Sequence, residues 1–548
     1  FLLCFPITEF GKDFKAVFAM EIISAPLVKA DSTEFKSRPQ IDGKKVFMAG
    51  KVETWQGPVE KVFSPIQVEG GGKIELGEVA QMDTATALRV LDAAVDAWDG
   101  GRGAWPQMTL EARCDAIERL VAKLGEKKAE IVKTLQWEIC KNTSDATKEF
   151  DRTMEYIELT IKAAKEQFQS RSVSATGGVS ARVRYAPIGV MLNLGPFNYP
   201  FNETYATLIP ALIMGNCVVM KVPTTGGLSH FLTMEAFAAC LPKGAVGFVS
   251  GKGRTTMPPL MQSGKVDIFA FIGSSKAADS LLKQHPAPHR LKYALGLDAK
   301  NLAVVTSEAD LDSAAKECAV GTTSFNGQRC TAIKLLLVHK SKAEEFLEKF
   351  KAELSKLKAG LPWQKVDLTP MPEANKAEYI QGLVKDAEEK GAKVIMGGDV
   401  SSNTLMTPAV LYPVDKSMRV WHEEQFGPAI PIGTYESDDE IMAYFKTTTF
   451  GQQTAVFTQS PESSAELLDF LELQVGRVNV NTAPSRGPDV YPFGGRKSSA
   501  LGTLSVSEAL RGFAVESVLA AKANEKNDKL LRSVVEAEGE RKAKRARM

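Results

Sequence analysis

Cys330 lies in the run Ser-Phe-Asn-Gly-Gln-Arg-Cys-Thr-Ala, residues 324–332. A thiol is a useful nucleophile only as thiolate, and adjacent positive charge or a polar, partly open site favours that form. Arg329 supplies a fixed charge at the neighbouring position, and Gly327 admits a close backbone approach. A cysteine so placed can attack a carbonyl carbon and hold the product as a thioester. A buried, inert cysteine is the other reading of a lone free thiol. Two glycine-containing turns, 271–278 (Phe-Ile-Gly-Ser-Ser-Lys-Ala-Ala) and 251–253 (Gly-Lys-Gly), each follow an apolar run. Backbone N–H groups at a helix start bind phosphate. The third glycine position of the first turn is Ala278, however, and an ordinary strand-to-helix turn is the better reading of that run; 251–253 is as weak a signal alone.

The elements that must hold such residues alternate along the chain. Residues 84–98 and 109–141 have the spacing of amphipathic helices, with Ile117, Leu120, Val121 and Leu124 on one face. Residues 145–165 continue helically, and 171–188 alternate polar and β-branched residues as a hairpin does. The runs 190–193, 217–221, 247–250 and 268–272 are short and apolar, each followed by a turn and a helical stretch. That alternation predicts an α/β fold with a parallel, doubly wound sheet. A second alternating region covers 301–500, and 513–519 reads as one more strand. A chain of 548 residues is too long for one core and implies two or three domains.

Composition narrows the class. The chain is 44% hydrophobic and 24% charged with a formal net charge of +1, a globular balance that gives no sign of a nucleic-acid partner. Its seven scattered cysteines form neither a Cys-x-x-Cys pair nor a zinc pattern, so we expect free thiols and no metal. No run of 18 uncharged apolar residues suggests a membrane span. Residues 1–19 begin with Phe and make a poor signal peptide, which points to Met20 as a start. The C-terminal residues read as a solvated helical tail. Its last three residues, Ala-Arg-Met, fit the small–basic–apolar pattern of a peroxisome-type address, with the cytoplasm as the alternative.

Six runs appear in an order that resembles the aldehyde dehydrogenase superfamily: 193–200 (Asn-Leu-Gly-Pro-Phe-Asn-Tyr-Pro), 213–224, 271–274, 325–330, 424–428 (Glu-Gln-Phe-Gly-Pro) and 492–498. The resemblance covers about 45–520. It implies a Rossmann-type cofactor domain (45–165 and 189–299), an α/β catalytic domain (300–499) and an oligomerisation β-flap (166–188 and 500–522). An N-terminal extension (1–44) and a charged tail (523–548) flank them, and a homo-oligomer, dimer or tetramer, follows. By the same resemblance Cys330 is the nucleophile and Asn198 the oxyanion donor. Lys221, Thr224, Gly251, Ser274, Glu424 and Phe426 then contact the cofactor. Thr224 stands where a ribose-binding glutamate often lies; without that carboxylate to repel a 2′-phosphate, NADP is expected, with NAD a second acceptor.

Arg152, Tyr199, Arg329 and Arg486 match the substrate-phosphate pocket of non-phosphorylating glyceraldehyde-3-phosphate dehydrogenases. Arginine forks suit phosphate oxygens. The resemblance therefore implies oxidation of D-glyceraldehyde 3-phosphate to 3-phosphoglycerate. One position departs from the family. Where Glu-Leu-Gly-Gly-Lys supplies the base that activates water, this chain has Gly-Leu-Asp-Ala-Lys (296–300), so Gly296 replaces the glutamate. Three expectations follow: another carboxylate serves (Asp298, Glu203 or Glu424), coenzyme A replaces water as acyl acceptor, or the chain only binds nucleotide.

Overall fold

Five short apolar runs become the inner strands of a parallel sheet. In the computed structural model, which describes residues 20–169 and 172–546, they lie in the order Lys292–Gly296, Ile268–Ile272, Val190–Leu194, Cys217–Lys221 and Val246–Val249. Such strands are mostly apolar because both faces are covered, with Lys292, Asn193 and Lys221 the charged or polar exceptions. Along one strand, Val218 and Met220 join one core cluster while Cys217 and Val219 join another, as a pleat with a period of two requires. Ala500–Leu501 adds an antiparallel strand at one end, and Lys45–Met48 followed by Lys51–Thr54 adds two at the other. A second sheet runs Lys393–Met396, Ala409–Tyr412, Ala429–Tyr435, Ile333–His339, Asn301–Val305, Gln453–Phe457, Arg477–Val480 and is parallel except at its first pair. A third sheet pairs Val179–Pro187 with Ser174–Thr176 and with Ala514–Lys522.

The two helices that flank the site follow from their sequences. Thr143–Gln167 starts at Asn142, whose side chain accepts the Asp145 N–H at 2.8 Å. It buries Ala146, Phe150, Thr153, Ile157 and Ala164 along one face. Asn202–Ile213 is buried at all of its 12 positions, so it runs through the interior rather than across the surface.

Four expectations change. The helix expected over 109–141 is two, Leu110–Gly125 and Lys128–Glu138; glycine is a poor helix former, and it precedes the charged pair Glu126-Lys127 at the break. Residues 500–513 do not belong to the flap. Ala500–Leu501 extends the cofactor sheet, and the helix Val506–Gly512 packs on Thr143–Gln167 and Asn202–Ile213. Residues 20–44 are no appendage, because Leu27–Val28 and Ile41–Gly43 complete a sheet with Val59–Val68 and Gly72–Ala80. The C-terminal helix, Glu525–Ala546, is docked rather than wholly solvated: Leu531 is buried, and Glu538 pairs with Arg182 at 2.7 Å and with Arg184. Residues 1–19 and the last two, Arg547 and Met548, on which the start and address readings depend, lie outside the described residues.

Candidate active site

Three successive residues with positive φ precede the nucleophile: Phe325 (48°), Asn326 (55°) and Gly327 (71°). Only glycine adopts this conformation without cost, and functional sites are where such strain gathers. The surroundings enforce it. The Asn326 side chain donates to the Thr369 carbonyl at 2.6 Å and accepts the Thr369 N–H at 3.1 Å. A Cβ on Gly327 would stand 2.8 Å from the Gly427 carbonyl oxygen, the close approach expected of that glycine. The Cys330 carbonyl accepts from Lys334 Nζ at 2.7 Å and from Asn301 Nδ2 at 2.8 Å.

The half-buried Cys330 thiol stands above its ordinary pKa. Desolvation is the largest cause and Glu203 the next, and together they outweigh Lys334, Arg329 and Arg486. The expectation that Arg329 makes a thiolate is thus corrected: its pull has the right sign and loses to burial and a carboxylate.

Cys330 opens into a cavity of about 670 Å³ lined also by Asn198, Tyr199, Arg152, Arg329 and Arg486, and by Thr224, Ser274, Glu424 and Phe426. Ten of the twelve residues singled out in the sequence therefore line one space. Asn198 is buried; its Nδ2 donates to the Gln328 carbonyl at 2.8 Å, which uses one of the two amide hydrogens. Lys221 and Gly251 do not line the cavity. Lys221 is buried at the end of its strand with Nζ on the Val222 carbonyl, and burial pushes it down to about 8. Gly251 (φ 92°) presses on the backbone at Met82, where a Cβ would come within 2.9 Å.

At one end the arginines are partly spoken for. Arg152 binds Asp489 through Nε at 3.0 Å and Nη2 at 2.9 Å. Arg486 pairs with Glu203 and lies 3.3 Å from Asp489, while its Nη2 is buried without a hydrogen-bond partner among the described residues. Arg329 has no ion pair among the described residues. Three arginines against two carboxylates leave this end one positive charge. Beneath it, Lys141 and Glu149 form a fully buried ion pair, and Lys141 Nζ sits 3.2 Å from the centre of the Tyr199 ring. Sequence reasoning missed that pair; the signal was Glu149 standing beside Phe150 on the apolar side of a helix. Asp489 was in plain view in the same run as Arg486.

At the other end, Ser274 caps the helix Ser275–Leu282, and Glu424 accepts the Ala299 N–H at 3.1 Å and sits 3.2 Å from Lys334. Burial holds the Glu424 carboxyl above its usual range despite Lys334. Neutral Thr224, a capped helix start and the carboxyl ends of parallel strands together fit a dinucleotide with a phosphorylated ribose. Gly296, Leu297 and Asp298 all line the cavity, so the expected alternation of an extended segment does not single out Asp298. A Cβ on Gly296 would meet only Ile272, at 3.5 Å, so no side chain occupies the place of the missing glutamate's first carbon.

The profile of the family described as "Aldehyde dehydrogenase family" matches residues 61–518. An NADP-dependent glyceraldehyde-3-phosphate dehydrogenase of Streptococcus equinus is 33% identical over 459 residues, covering 82% of this chain and 93% of that one. A protein of the same name from Arabidopsis thaliana is 33% identical over 430 residues, 77% of this chain and 85% of the other. Among solved structures, the NADP complex of an NADP-dependent glyceraldehyde-3-phosphate dehydrogenase from Bacillus halodurans superposes with a TM-score of 0.81 at 29% identity, covering 88% of this chain and all of the other.

Proposed function

The chain belongs to the aldehyde dehydrogenase family, and from that premise we propose that it oxidises D-glyceraldehyde 3-phosphate to 3-phosphoglycerate with NADP. The observation that carries the substrate is the cavity end where Arg152, Tyr199, Arg329 and Arg486 face the same space as Cys330, with a buried Arg486 donor left unpaired. An unpaired buried donor costs about 1–3 kcal/mol, which an anion there would relieve. The names of these relatives support the same substrate and cofactor.

In this reading the Cys330 thiolate attacks the aldehyde carbon. Asn198 Nδ2 and the Cys330 N–H donate to the developing oxyanion, interactions typically worth ~10²–10³ in rate each. Thr224, Ser274, Glu424 and Phe426 hold the cofactor. When bound, the oxidised nicotinamide supplies the hydride acceptor. Lys334 bridges the two halves, since it fixes the Cys330 carbonyl and pairs with Glu424. Gly296 favours one rival reading, transfer of the acyl group to coenzyme A.

The test compares kcat/KM for the phosphorylated aldehyde and plain glyceraldehyde with NADP. We expect a preference of at least ~10²-fold that Arg329→Ala erodes by about tenfold or more, from charge-assisted bonds of ~1.5–3 kcal/mol each. Equal kcat/KM for the two aldehydes rules out a phosphate pocket. Turnover that appears only with coenzyme A selects the rival.

A further inference from the structure

Release of the acyl group needs a base, and Gly296 cannot provide one. Four carboxylates line the cavity: Glu203, Asp298, Glu373 and Glu424. Asp298 accepts two bonds from Ser275, its N–H (2.8 Å) and its hydroxyl. Glu373 is 2.9 Å from Lys376. Glu424 is held by Ala299 and Lys334 on the cofactor side. Glu203 differs. Alone of the four it stands at the arginine end of the cavity, where its Oε2 meets Arg486. Among these carboxylates, its charge weighs most on the Cys330 sulfur.

We propose that Glu203 is the general base that activates water against the Cys330 thioester, in the role left empty at Gly296. The proposal rests on the thioester of the preceding reading. Glu203 sits five residues after Asn198 in the first turn of Asn202–Ile213. Glu149 anchors that turn by accepting the Phe201 and Asn202 N–H groups at 3.0 and 3.2 Å, so oxyanion donor and base ride on one rigid segment. A substrate anion on Arg486 competes with Glu203 for the same guanidinium and frees its Oε2 when substrate is in place.

Glu203 takes a proton from water as the water oxygen bonds to the acyl carbon. The tetrahedral adduct then collapses with cleavage of the carbon–sulfur bond: the sulfur leaves as thiolate and the product as carboxylic acid, which ionises.

The test is Glu203→Gln, which keeps the shape and an acceptor for Arg486, followed by rapid mixing with D-glyceraldehyde 3-phosphate and NADP. We expect a burst of one NADPH per site to persist while steady-state turnover falls ~10²–10⁴-fold, with loss of the carboxylate-dependent limb of the pH profile. Adding Gly296→Glu to that variant should recover turnover. Turnover within a few-fold of the parent, or a burst that falls in step with turnover, overturns the proposal. If the unaltered enzyme forms no NADPH in burst or steady state, the thioester reading itself fails.

Discussion

At the scale of single residues, this site sets charge against burial. Cys330 has three cations within electrostatic reach and still holds its proton more tightly than a free thiol, because desolvation and Glu203 win. Alkylation of the cofactor-free enzyme by iodoacetamide should therefore speed up with pH to beyond the ordinary thiol range. Glu203→Gln should move the profile to lower pH, since it removes a negative charge from beside the sulfur, and Arg329→Met should move it higher. A thiol that titrates below neutrality in the unaltered enzyme would mean that the cations dominate after all.

At the scale of elements, a buried carboxylate joins two pieces of the cofactor domain. Glu138 ends the helix Lys128–Glu138, and its Oε2 accepts the Leu228 N–H at 3.0 Å at the start of Leu228–Phe231, four residues beyond Thr224. Burial pushes its pKa up to about 8. In the unfolded chain the carboxyl titrates near ~4.3. Between those values the folded protein holds a proton that the unfolded chain has released, so this group's contribution is complete below about pH 4.3 and is lost as pH rises through about 8. Glu138→Gln should remove that slope. In a series of urea midpoints, the variant should gain on the parent by on the order of 1–3 kcal/mol between pH 5 and pH 9. A gap that stays constant over that range would show that Glu138 is ionised in the fold.

At the scale of the molecule, the C-terminal helix lies beyond the family match that ends at 518, yet it is anchored to the flap. Arg182 and Arg184 share Glu538, and Arg182 is nearly buried. Removing one partner of a buried pair typically leaves an uncompensated charge that costs several times more than a surface pair is worth. Glu538→Ala should make Glu525–Ala546 the first segment cut in limited proteolysis, several-fold faster than in the parent, while the Cys330 burst stays unchanged. Equal cutting rates would mean that apolar contacts such as Leu531 hold the helix alone.

The order of strands and helices was legible because a strand buried on both faces is apolar at nearly every position, and Val190–Leu194, Cys217–Lys221 and Ile268–Ile272 carry that signature apart from Asn193 and Lys221. The run around Cys330 announced a nucleophile for the same kind of reason: residue type and immediate neighbours are local properties. Other features are not local. Residues 500–513 read as the start of the flap because nothing in their own sequence reveals that Leu501 will sit opposite Leu295. Arg152 and Arg486 could be placed in one pocket, but not their shared carboxylate Asp489 or the pairing of Arg486 with Glu203, 283 positions away. Chemistry that depends on one group alone was written in the chain. The direction of the Cys330 shift and the choice of Glu203 as the carboxylate that weighs on it depend on summed distances and desolvation, which exist only once the chain has closed on itself.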